Sequence, residues 1–334
     1  MSLHTGQDVV LFGGTGDLVM RKLLPALYHL HCAGMLGAEV SIIGVAREAL
    51  DTAGFRRVAA EQCERFLKGH FDATQWEAFE ARIHYVALDA RDAAGFDQLR
   101  ERLGEVGSRS QVYYLSTAPA LFTAISRHLH ETGLITPASR VVLEKPLGHD
   151  LASSREINDE VGRYFAEQQI YRIDHYLGKE SVQNLLALRF GNALFEPLWR
   201  RESIANIQIT LAEHIGVGTR GDFYDRTGAL RDMVQNHALQ LLTMIAMEPP
   251  SSSDADAIRD EKLKVLRSLK PFDAASVARD VVRGQYRAGS VGGQAVPGYQ
   301  QEVKVPAGSH CETFVALRTE VQNWRWAGVP FYLR

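Results

Sequence analysis

The sequence predicts an α/β Rossmann-like, doubly wound domain followed by an α+β domain with a large, mainly antiparallel sheet. In the first half, short runs rich in β-branched and aromatic residues alternate with amphipathic stretches, which is typical of a parallel sheet covered by helices on both faces. A glycine-rich turn follows the first run. After about residue 170 the apolar runs become longer and alternating, as in antiparallel strands. We therefore expect two domains, residues 1–172 and residues 173–334.

Five runs in the first half predict buried strands, because they are short, apolar and bounded by Gly, Asp or Pro. Pro25 should kink or break the first of the helices between them, because proline removes a backbone donor. The strands are VVLFGG (9–14), VSIIGVA (40–46), IHYVALDA (83–90), VYYLS (112–116) and RVVLE (140–144), and the helices lie near residues 17–33, 51–68, 92–104 and 119–132.

Longer strands and two helices are expected in the second half. The chain ends on an apolar strand within NWRWAGVPFYLR (323–334), which needs neighbours. This strand either pairs within the same sheet or leaves an exposed aromatic edge that invites aggregation. The other strands are IANIQITLAEHI (204–215), ARDVVRGQYRA (278–288) and ETFVALRTEV (312–321), and the helices lie near residues 227–247 and 254–269.

The composition favours a cytoplasmic protein without general affinity for nucleic acid or membranes. A formal net charge of -3 over 334 residues gives no attraction to polyanions. No apolar run approaches the ~20 residues that cross a bilayer, and residues 1–8 do not resemble a signal peptide. The cysteines Cys32, Cys63 and Cys311 are odd in number and far apart, which favours reduced thiols over disulfides or a zinc site.

A dinucleotide site is predicted at the end of the first strand. GGTGDL (13–18) follows that strand and opens a helix, and Gly13 and Gly16 allow the backbone to approach a pyrophosphate at the helix N-terminus. The alternative is a tight turn of any α/β protein. Arg47, in GVAR, stands where an NAD enzyme usually places an acid. An arginine suits a 2′-phosphate, so we predict NADP, the alternative being a surface arginine.

Two further segments lie at the carboxyl ends of predicted strands, where open α/β sheets bind ligands. They are STAP (116–119) and EKP (144–146). Lys145 in the second segment is placed to reach a substrate oxygen or the nicotinamide. The alternative is an exposed lysine before a turn.

A phosphate site is predicted in IYRIDHYLGKE (170–180). The imidazole of His175, the phenol of Tyr176 and the ammonium of Lys179 follow Asp174 closely. Such donors converging from one short segment suit a phosphate monoester. A plain polar loop is the alternative.

The helix near 227–247 carries a candidate base. His237 lies on its apolar stripe, so it is either a satisfied core histidine or a buried base with a carboxylate partner. Asp232 and Asn236 lie on a more polar face, and Glu213 ends a predicted strand, so these residues are candidates for binding sugar hydroxyls. No metal is expected, because the sequence has neither HExxH nor an Asp-rich calcium loop.

Together these segments resemble the glucose-6-phosphate dehydrogenase family. RIDHYLGKE (172–180) is similar to the family's active-site segment almost letter for letter. The resemblance covers essentially the whole chain, and several long motifs in register are more specific than one glycine pattern. It implies oxidation of glucose 6-phosphate to a lactone, with NADP, in the pentose phosphate pathway. The other similar segments are GGTGDL, RKLLP (21–25), EKP, GALRDMVQNH (228–237), IRDEKLKVL (258–266) and NWRWAGVPFYLR.

The resemblance also implies a role for each candidate residue. His237 would be the general base that takes the proton of the anomeric hydroxyl, and Asp174 would orient it. His175, Tyr176 and Lys179 would bind the sugar phosphate. The residues that would place the sugar are Lys145, Glu213 and Asp232, and those that would bind the cofactor are Gly13, Thr15, Gly16, Lys22, Arg47 and Lys145.

The chain departs from the family pattern in three places. Gly218 stands where the family usually has Glu, and two glycines of the family are replaced nearby. Met20 stands where a basic residue often precedes RK. The family also continues past Arg334 with a Thr-Gly-Lys segment whose lysine helps to bind substrate, then with further strands and its dimer surface. By this comparison the chain is C-terminally truncated.

Two hypotheses follow. The first is a dehydrogenase of this family, or the front portion of one. The resemblance implies a homo-oligomer (dimer or tetramer) for the full-length family member. The second is a truncated nucleotide-binding protein of the same family without turnover, and we expect little or no activity from the chain alone. An enzyme for unphosphorylated glucose is disfavoured by the cluster of His175, Tyr176 and Lys179.

Overall fold

The computed structural model describes residues 6–104 and 109–334, apart from the side chain of Thr219. Residues 1–5, which belong to the N-terminal segment that does not resemble a signal peptide, lie outside the described residues. The chain divides into two compact units between Ile173 and Asp174. No helix in the described ranges is both long and apolar enough to cross a membrane.

The first unit contains a six-stranded sheet in which every pairing is parallel. The strand order β3-β2-β1-β4-β5-β6 is that of a doubly wound fold, which confirms the predicted class. The direction of winding reverses between β1 and β4, and such a reversal is where these sheets bind ligands. The strands are β1 (Gln7–Phe12), β2 (Ser41–Ala46), β3 (Ile83–Ala87), β4 (Ser110–Leu115), β5 (Arg140–Leu143) and β6 (Ile170–Arg172).

Helices cover both faces of this sheet. Val10 and Phe12 of β1 belong to one buried core, and Val9 and Leu11 to a second core on the opposite face. Because both faces are buried, the strands are continuous apolar runs rather than alternating ones. The helices are α1 (Leu24–Cys32), α2 (Thr52–Leu67), α3 (Ala73–Glu80), α4 (Ala94–Leu103), α5 (Phe122–Glu131) and α6 (Leu151–Gly162).

The structure adds α3, α6 and β6 to the predicted elements of this unit. Both added helices begin with an aspartate, Asp72 or Asp150, whose side chain accepts backbone N–H groups of the first turn. The first predicted helix is π-helical over Val19–Leu23, and α1 then begins with Pro25 in its first turn. The irregularity therefore precedes Pro25, which occupies a position where helices tolerate proline.

The second unit contains a four-stranded, mainly antiparallel sheet in the order β7-β12-β11-β8, as expected for an α+β domain. One face is buried: Val315 and Phe331 pack with residues of the helices in a single core. The strands are β7 (Ile207–Ile209), β8 (Val281–Gly284), β11 (Phe314–Glu320) and β12 (Pro330–Leu333), with a separate hairpin of β9 (Gly289–Val291) and β10 (Gln294–Val296). The helices are α7 (Glu180–Phe190), α8 (Gly221–Ala229), α9 (Leu239–Ala246), α10 (Ala255–Arg267) and α11 (Ala274–Asp280).

The last strand, β12, does not form an exposed edge. It pairs with β11 on one side and with β7 on the other, and Phe331 is fully buried. The expectation of an exposed aromatic edge is therefore wrong, because both neighbours of the strand come from earlier in the chain. The strands expected over 204–215 and 278–288 are also much shorter than their apolar runs, since only β7 and β8 pair there.

Candidate active site

The turn after β1 has room only for glycine at two positions. Gly13 has a φ of 80°, and a Cβ atom there would lie 2.8 Å from the carbonyl oxygen of Ser116. A Cβ atom on Gly14 would lie 2.9 Å from the Cα atom of Gly44 in β2. The N–H groups of both residues donate to the carbonyl oxygen of Val45, at 2.8 and 2.9 Å. The turn therefore lies tightly against β2, and its bare backbone can approach a pyrophosphate.

The other residues predicted for the cofactor lie nearby in the first unit. The N–H of Gly16 donates to the carbonyl oxygen of Gly13 at 2.8 Å and closes the turn. Lys22, in the π-helical segment, and Arg47, after β2, both have exposed side chains. Thr117, just after β4, has a buried hydroxyl with no hydrogen-bond partner among the described residues. A glycine turn beside an unpartnered buried hydroxyl fits a dinucleotide cofactor.

An acid that was not predicted from sequence as a site residue, Glu48, follows the end of β2. The hydroxyl of Thr15 donates to Oε2 of Glu48 at 2.8 Å. The hydroxyl of Tyr85 donates to the carbonyl oxygens of Glu48 and Ala46, at 2.8 and 3.1 Å. Burial raises the pKa of Tyr85 to about 12, and the charge of Glu48 contributes, so Tyr85 remains a donor. The signal was present in the sequence, because Glu48 directly follows Arg47.

His237 and Asp174 form a hydrogen-bonded pair in the second unit. Nδ1 of His237 lies 2.6 Å from Oδ1 of Asp174, although the residues are 63 positions apart in the chain. His237 is only 1% exposed. Because a carboxylate oxygen is an acceptor, we assign the proton to Nδ1, which leaves Nε2 as the basic nitrogen of the neutral ring. His237 is therefore buried and also paired with a carboxylate.

Asp174 is held in its ionised form. Burial raises the pKa of its carboxyl, but the hydrogen bonds from His237 and from the N–H of Tyr176, at 3.0 Å, outweigh burial, together with the charges of His237 and His175. The pKa of Asp174 therefore lies below its usual value. An ionised, hydrogen-bonded carboxylate fixes the imidazole in one orientation and stabilises its protonated form.

Two rings and a lysine surround this pair. The ring of Tyr176 stacks on His237 with centroids 4.1 Å apart and an interplanar angle of 21°. The ring of His175 meets His237 edge-on at 4.6 Å. The ammonium of Lys179 lies 3.5 Å from the centroid of the Tyr176 ring. His175 and Lys179 are exposed, so the structure brings two exposed nitrogen groups next to a buried imidazole.

Glu213 and Asp232 border the same cluster. Burial raises the pKa of Tyr176, and the charges of Glu213, Asp174 and Asp232 raise it further. Asp232 is half-buried near the start of the segment that carries His237. Glu213 is exposed in the loop after β7, not at the end of a strand as expected, because β7 stops at Ile209. Lys145, half-buried just after β5, belongs to the first unit.

The helix that carries His237 is partly π-helical. The segment Leu230–Ala238 lies between α8 and α9, where the sequence predicts one regular helix. A π-helix forms hydrogen bonds between residues five apart and is frequent at functional sites. Because Asp232 and His237 are five residues apart, the π-helix places them more nearly on the same face of the helix than an α-helix would. The side-chain amide of Asn236 donates to the carbonyl oxygen of Asp232 at 3.3 Å.

Glu312, which was not predicted from sequence as a site residue, fixes the start of this segment. Its Oε1 accepts the N–H of Leu230 at 3.1 Å, and its carbonyl oxygen accepts the N–H of Ala229 at 3.0 Å. Gly228, with a φ of 70°, gives room for this contact, since a Cβ atom there would lie 2.5 Å from the Glu312 carboxylate. A carboxylate at a helix N-terminus satisfies a free N–H and interacts favourably with the helix dipole.

Asp174, His175 and His237 could also hold a metal ion. One ligand atom from each residue lies within 4.8 Å of the others. Sequence spacing does not predict this group, because its members come from two distant segments. Within this group, Oδ1 of Asp174 and Nδ1 of His237 already bond each other.

Two family descriptions match the chain: "Glucose-6-phosphate dehydrogenase, NAD binding domain" over residues 10–184, and "Glucose-6-phosphate dehydrogenase, C-terminal domain" over residues 186–334. The chain is 53% identical to the glucose-6-phosphate 1-dehydrogenase of Rhizobium meliloti, over 98% of this chain and 67% of that protein. The protein of the same name from Mycolicibacterium smegmatis is 51% identical, again over 98% and 67%. The chain therefore spans about two thirds of the length of these relatives.

Two solved structures share the fold. The glucose-6-phosphate 1-dehydrogenase of Mycobacterium avium has a TM-score of 0.89 at 40% identity, over 99% of this chain and 68% of that one. A glucose-6-phosphate dehydrogenase in complex with its substrate, glucose 6-phosphate, has a TM-score of 0.90 at 36% identity, over 100% of this chain and 69% of that one. With matches of this extent to both sequences and structures, the chain belongs to the glucose-6-phosphate dehydrogenase family.

Proposed function

We propose that this chain is a glucose-6-phosphate dehydrogenase, which oxidises glucose 6-phosphate to 6-phosphoglucono-lactone with hydride transfer to NADP in the oxidative pentose phosphate pathway. The observation that carries the proposal is the 2.6 Å hydrogen bond between His237 and Asp174, beside the exposed Lys179. A buried base next to an exposed cation suits a sugar that loses a proton at one end and carries a phosphate at the other.

The phosphate would be bound by His175, Tyr176 and Lys179. The Lys179 ammonium is held over the Tyr176 ring, so its charge is kept beside the phenol and the His175 imidazole. Hydrogen bonds to a charged group are worth about 1.5–3 kcal/mol each. Unphosphorylated glucose would form none of these charge-assisted hydrogen bonds, which favours the sugar phosphate as substrate.

The chemistry would begin at His237. Its Nε2 takes the proton of the anomeric hydroxyl, and Asp174 stabilises the imidazolium that forms. The anomeric carbon, which also loses a hydride, becomes the carbonyl carbon of the lactone. When bound, NADP supplies the hydride acceptor. Lys145, Glu213 and Asp232 would position the sugar by hydrogen bonds to its hydroxyl groups.

The cofactor would bind in the first unit. What supports this is the glycine turn, where added side chains would meet neighbouring backbone, together with the exposed cation of Arg47 after β2. Lys22, on the helix that the turn opens, supplies a further cation. The residues that we propose for the cofactor are Gly13, Thr15, Gly16, Lys22, Arg47 and Lys145.

The second hypothesis, a nucleotide-binding protein of the same family without turnover, has the same first unit. It gives no reason for a buried histidine paired with a carboxylate in the second unit, so the dehydrogenase is the better proposal.

We also propose a cytoplasmic location, which suits the free cysteines Cys32, Cys63 and Cys311. A homo-oligomer, dimer or tetramer, stays a prediction for the full-length family member, which light scattering on a chain of that length would test.

The proposal is tested by measuring NADPH formation from glucose 6-phosphate, and from glucose, with the chain as given and with a chain extended by the segments that follow Arg334 in the family. The variants are compared in the extended chain. His237→Asn should lower kcat by roughly 10²–10⁴-fold with little change in KM. Lys179→Ala should raise KM with less effect on kcat. His310→Asn replaces an exposed histidine of the same unit and serves as the control.

Calorimetric binding of NADP and of both sugars should be recorded on the same samples. NADP binding without sugar-phosphate binding or turnover would favour the second hypothesis. An unchanged kcat in His237→Asn would show that this residue is a core histidine, and equal use of both sugars would contradict the phosphate site.

A further inference from the structure

The ring of Tyr176 touches the proposed base and one of the groups proposed for the phosphate. It stacks on the imidazole of His237 with centroids 4.1 Å apart and an interplanar angle of 21°. The ammonium of Lys179 lies 3.5 Å from the centroid of the same ring. Tyr176 is 9% exposed and His237 is 1% exposed, so the stacked rings are shielded from water. The proposed phosphate site needs only the hydroxyl of Tyr176 and gives its ring no role.

A single carboxylate oxygen aligns the two rings. Oδ1 of Asp174 accepts the proton on Nδ1 of His237 at 2.6 Å and the backbone N–H of Tyr176 at 3.0 Å. The carbonyl oxygen of Tyr176 accepts the N–H of Lys179 at 3.2 Å. The backbone of Tyr176 is therefore fixed on both sides, and the imidazole is bonded to the same carboxylate. These bonds keep the Tyr176 ring next to His237.

The contact between the two rings changes when His237 takes up a proton. The face of an aromatic ring carries partial negative charge and attracts a cation placed over it. A neutral imidazole gains little from this attraction, whereas an imidazolium gains much more. The gain is largest where the pair is shielded from water, as it is here. An interaction that strengthens as the transition state forms lowers the barrier and raises kcat.

The charges around the ring are balanced. Lys179 places a positive charge next to the ring, which would oppose the formation of an imidazolium there. Burial raises the pKa of Tyr176, and the nearby carboxylates of Glu213, Asp174 and Asp232 raise it further. These three negative charges offset that of Lys179. The phenol also keeps its proton, so the ring stays neutral.

We propose that the ring of Tyr176 is a positioning element for the base and stabilises the protonated form of His237, in addition to the role proposed for the hydroxyl at the phosphate. The inference rests on the proposed function, because it assumes that His237 accepts a proton. Tyr176 acts on the chemistry through His237 and is therefore a positioning residue. Loss of the hydroxyl should appear in KM, and loss of the ring should appear in kcat.

Two substitutions at Tyr176 separate these roles, with kcat and KM measured in the chain extended by the segments that follow Arg334 in the family. Tyr176→Phe keeps the ring, so KM for glucose 6-phosphate should rise roughly 10-fold and kcat should stay within about twofold. Tyr176→Leu also removes the ring, so kcat should fall roughly 5- to 30-fold. Tyr332→Leu replaces an exposed tyrosine of β12 and is the control, with both parameters unchanged. Equal kcat in Tyr176→Phe and Tyr176→Leu overturns the inference.

A second series changes the charge on the ring face and barely changes the size of the ring. Phenylalanines that carry one, two or three fluorine atoms replace Tyr176, because fluorine withdraws electrons from the ring and is little larger than hydrogen. Relative to Tyr176→Phe, kcat should fall steadily with the number of fluorine atoms, by roughly 5- to 30-fold in all. A constant kcat across the series would show that the contact is only steric and would overturn the inference. The series remains decisive where thermal melts show that the leucine variant is poorly folded.

The ammonium of Lys179 also senses the ring, so the series is repeated in Lys179→Ala. If fluorine acted through Lys179, its effect would lie in KM and would disappear in this background. We expect the fall in kcat to persist, because His237 remains stacked on the ring. Disappearance of the kcat effect in Lys179→Ala would overturn the assignment to His237.

Failure of the inference can be distinguished from failure of the proposed function. An extended wild-type chain that forms no NADPH from glucose 6-phosphate overturns both, whereas turnover with a constant kcat across the fluorine series overturns only the role of the ring. NMR of the chain labelled at histidine tests the stacking without turnover, because the ring current of Tyr176 should shift Hε1 of His237 upfield. The shift should persist in Tyr176→Phe and vanish in Tyr176→Leu, and an unchanged shift in Tyr176→Leu would contradict the contact.

Discussion

Replacing Asp174 with Asn tests the carboxylate that supports the proposed base. Asp174 accepts two hydrogen bonds, from Nδ1 of His237 at 2.6 Å and from the N–H of Tyr176 at 3.0 Å. Both bonds end on the same oxygen, Oδ1. The carbonyl oxygen of an asparagine side chain can occupy this position. The substitution can therefore retain the geometry of the pair while it removes the charge.

The expected fall in kcat follows from the loss of the negative charge of Asp174. A hydrogen bond to a charged group is worth about 1.5–3 kcal/mol, and a neutral one about 0.5–1.5 kcal/mol. In Asp174→Asn, the protonated form of His237 would therefore lose ~1–2 kcal/mol of stabilisation, which is the difference between the two kinds of hydrogen bond. Each 1.36 kcal/mol is a factor of ten in rate, so kcat should fall roughly 5- to 30-fold. KM should change little, because the residues proposed for the phosphate are untouched.

The assay is steady-state NADPH formation on the chain extended by the segments that follow Arg334 in the family, with kcat and KM for glucose 6-phosphate determined separately. Asp256→Asn is the matched control, because Asp256 is exposed and its ion pair with Arg259 is a surface pair of little energetic value. Thermal melts should show that both variants remain folded. A kcat within about twofold of the wild type, or a change confined to KM, would refute the role given to Asp174.

Three further predictions concern cofactor choice, acid stability and helix capping. Arg47→Asp should weaken NADP binding by about 1.5–3 kcal/mol and NAD binding far less, as measured by calorimetry; equal loss for the two cofactors would contradict the role of Arg47. The pKa of Asp174 is lower in the folded state than in the unfolded state. The stability that its ionised carboxylate contributes to the fold is therefore fully present above the unfolded-state pKa of about 3.9, and it is lost as the pH falls through the folded-state pKa. Urea unfolding should therefore show the wild type losing more stability than Asp174→Asn between about pH 5 and about pH 2, and parallel curves would exclude this contribution. Glu312→Ala should lower the free energy of unfolding by about 0.5–2 kcal/mol through loss of the cap on Leu230, and Glu312→Gln should lose less, since its amide oxygen still accepts; equal losses in the two variants would show that the hydrogen bond is not what matters.

The strands of the first unit could be predicted from sequence because their burial on both faces makes them continuous apolar runs. The run VYYLS (112–116), for example, corresponds to β4 at Ser110–Leu115. The strand β6, Ile170–Arg172, was missed because three residues are too few to show a period. The neighbours of β12 could not be predicted for a different reason. Local pattern identifies a strand, but strand pairing is decided by the tertiary fold.

The residues of the candidate site could be predicted only in part. Periodicity places His237 on the buried side of its helix, but nothing local identifies Asp174, 63 residues away, as its partner. The resemblance to the family supplied that pairing. Glu312 was missed because a cap provided from 82 positions away in the chain leaves no mark near the helix that it caps. Glu48 was missed although it lies beside Arg47, because the arginine alone accounted for the expected 2′-phosphate.

The far end of the helix that carries His237 is as firmly held as its start. The guanidinium of Arg189 is fully buried and donates to the carbonyl oxygens of Met244 and Met247, each at 2.8 Å. The two carbonyl groups between them accept indole N–H groups, Ile245 from Trp199 at 2.7 Å and Ala246 from Trp326 at 2.9 Å. Four carbonyl groups in succession, which a helix C-terminus would otherwise leave without partners, are thus satisfied by side chains.

This anchoring explains how a π-helical segment persists beside the proposed base. A π-helix is rare because the regular α-helix is favoured, so the additional residue must be prevented from moving out through an end of the helix. Glu312 accepts the first N–H of the segment, and Arg189 donates to the last carbonyl groups of the helix that follows. Burying the Arg189 guanidinium costs solvation free energy, and this burial lowers the pKa of Arg189 to about 10. With both ends fixed, the register of the segment is fixed as well. His237 is then held at Asp174 before substrate arrives, and the proposed proton transfer would require no reorganisation.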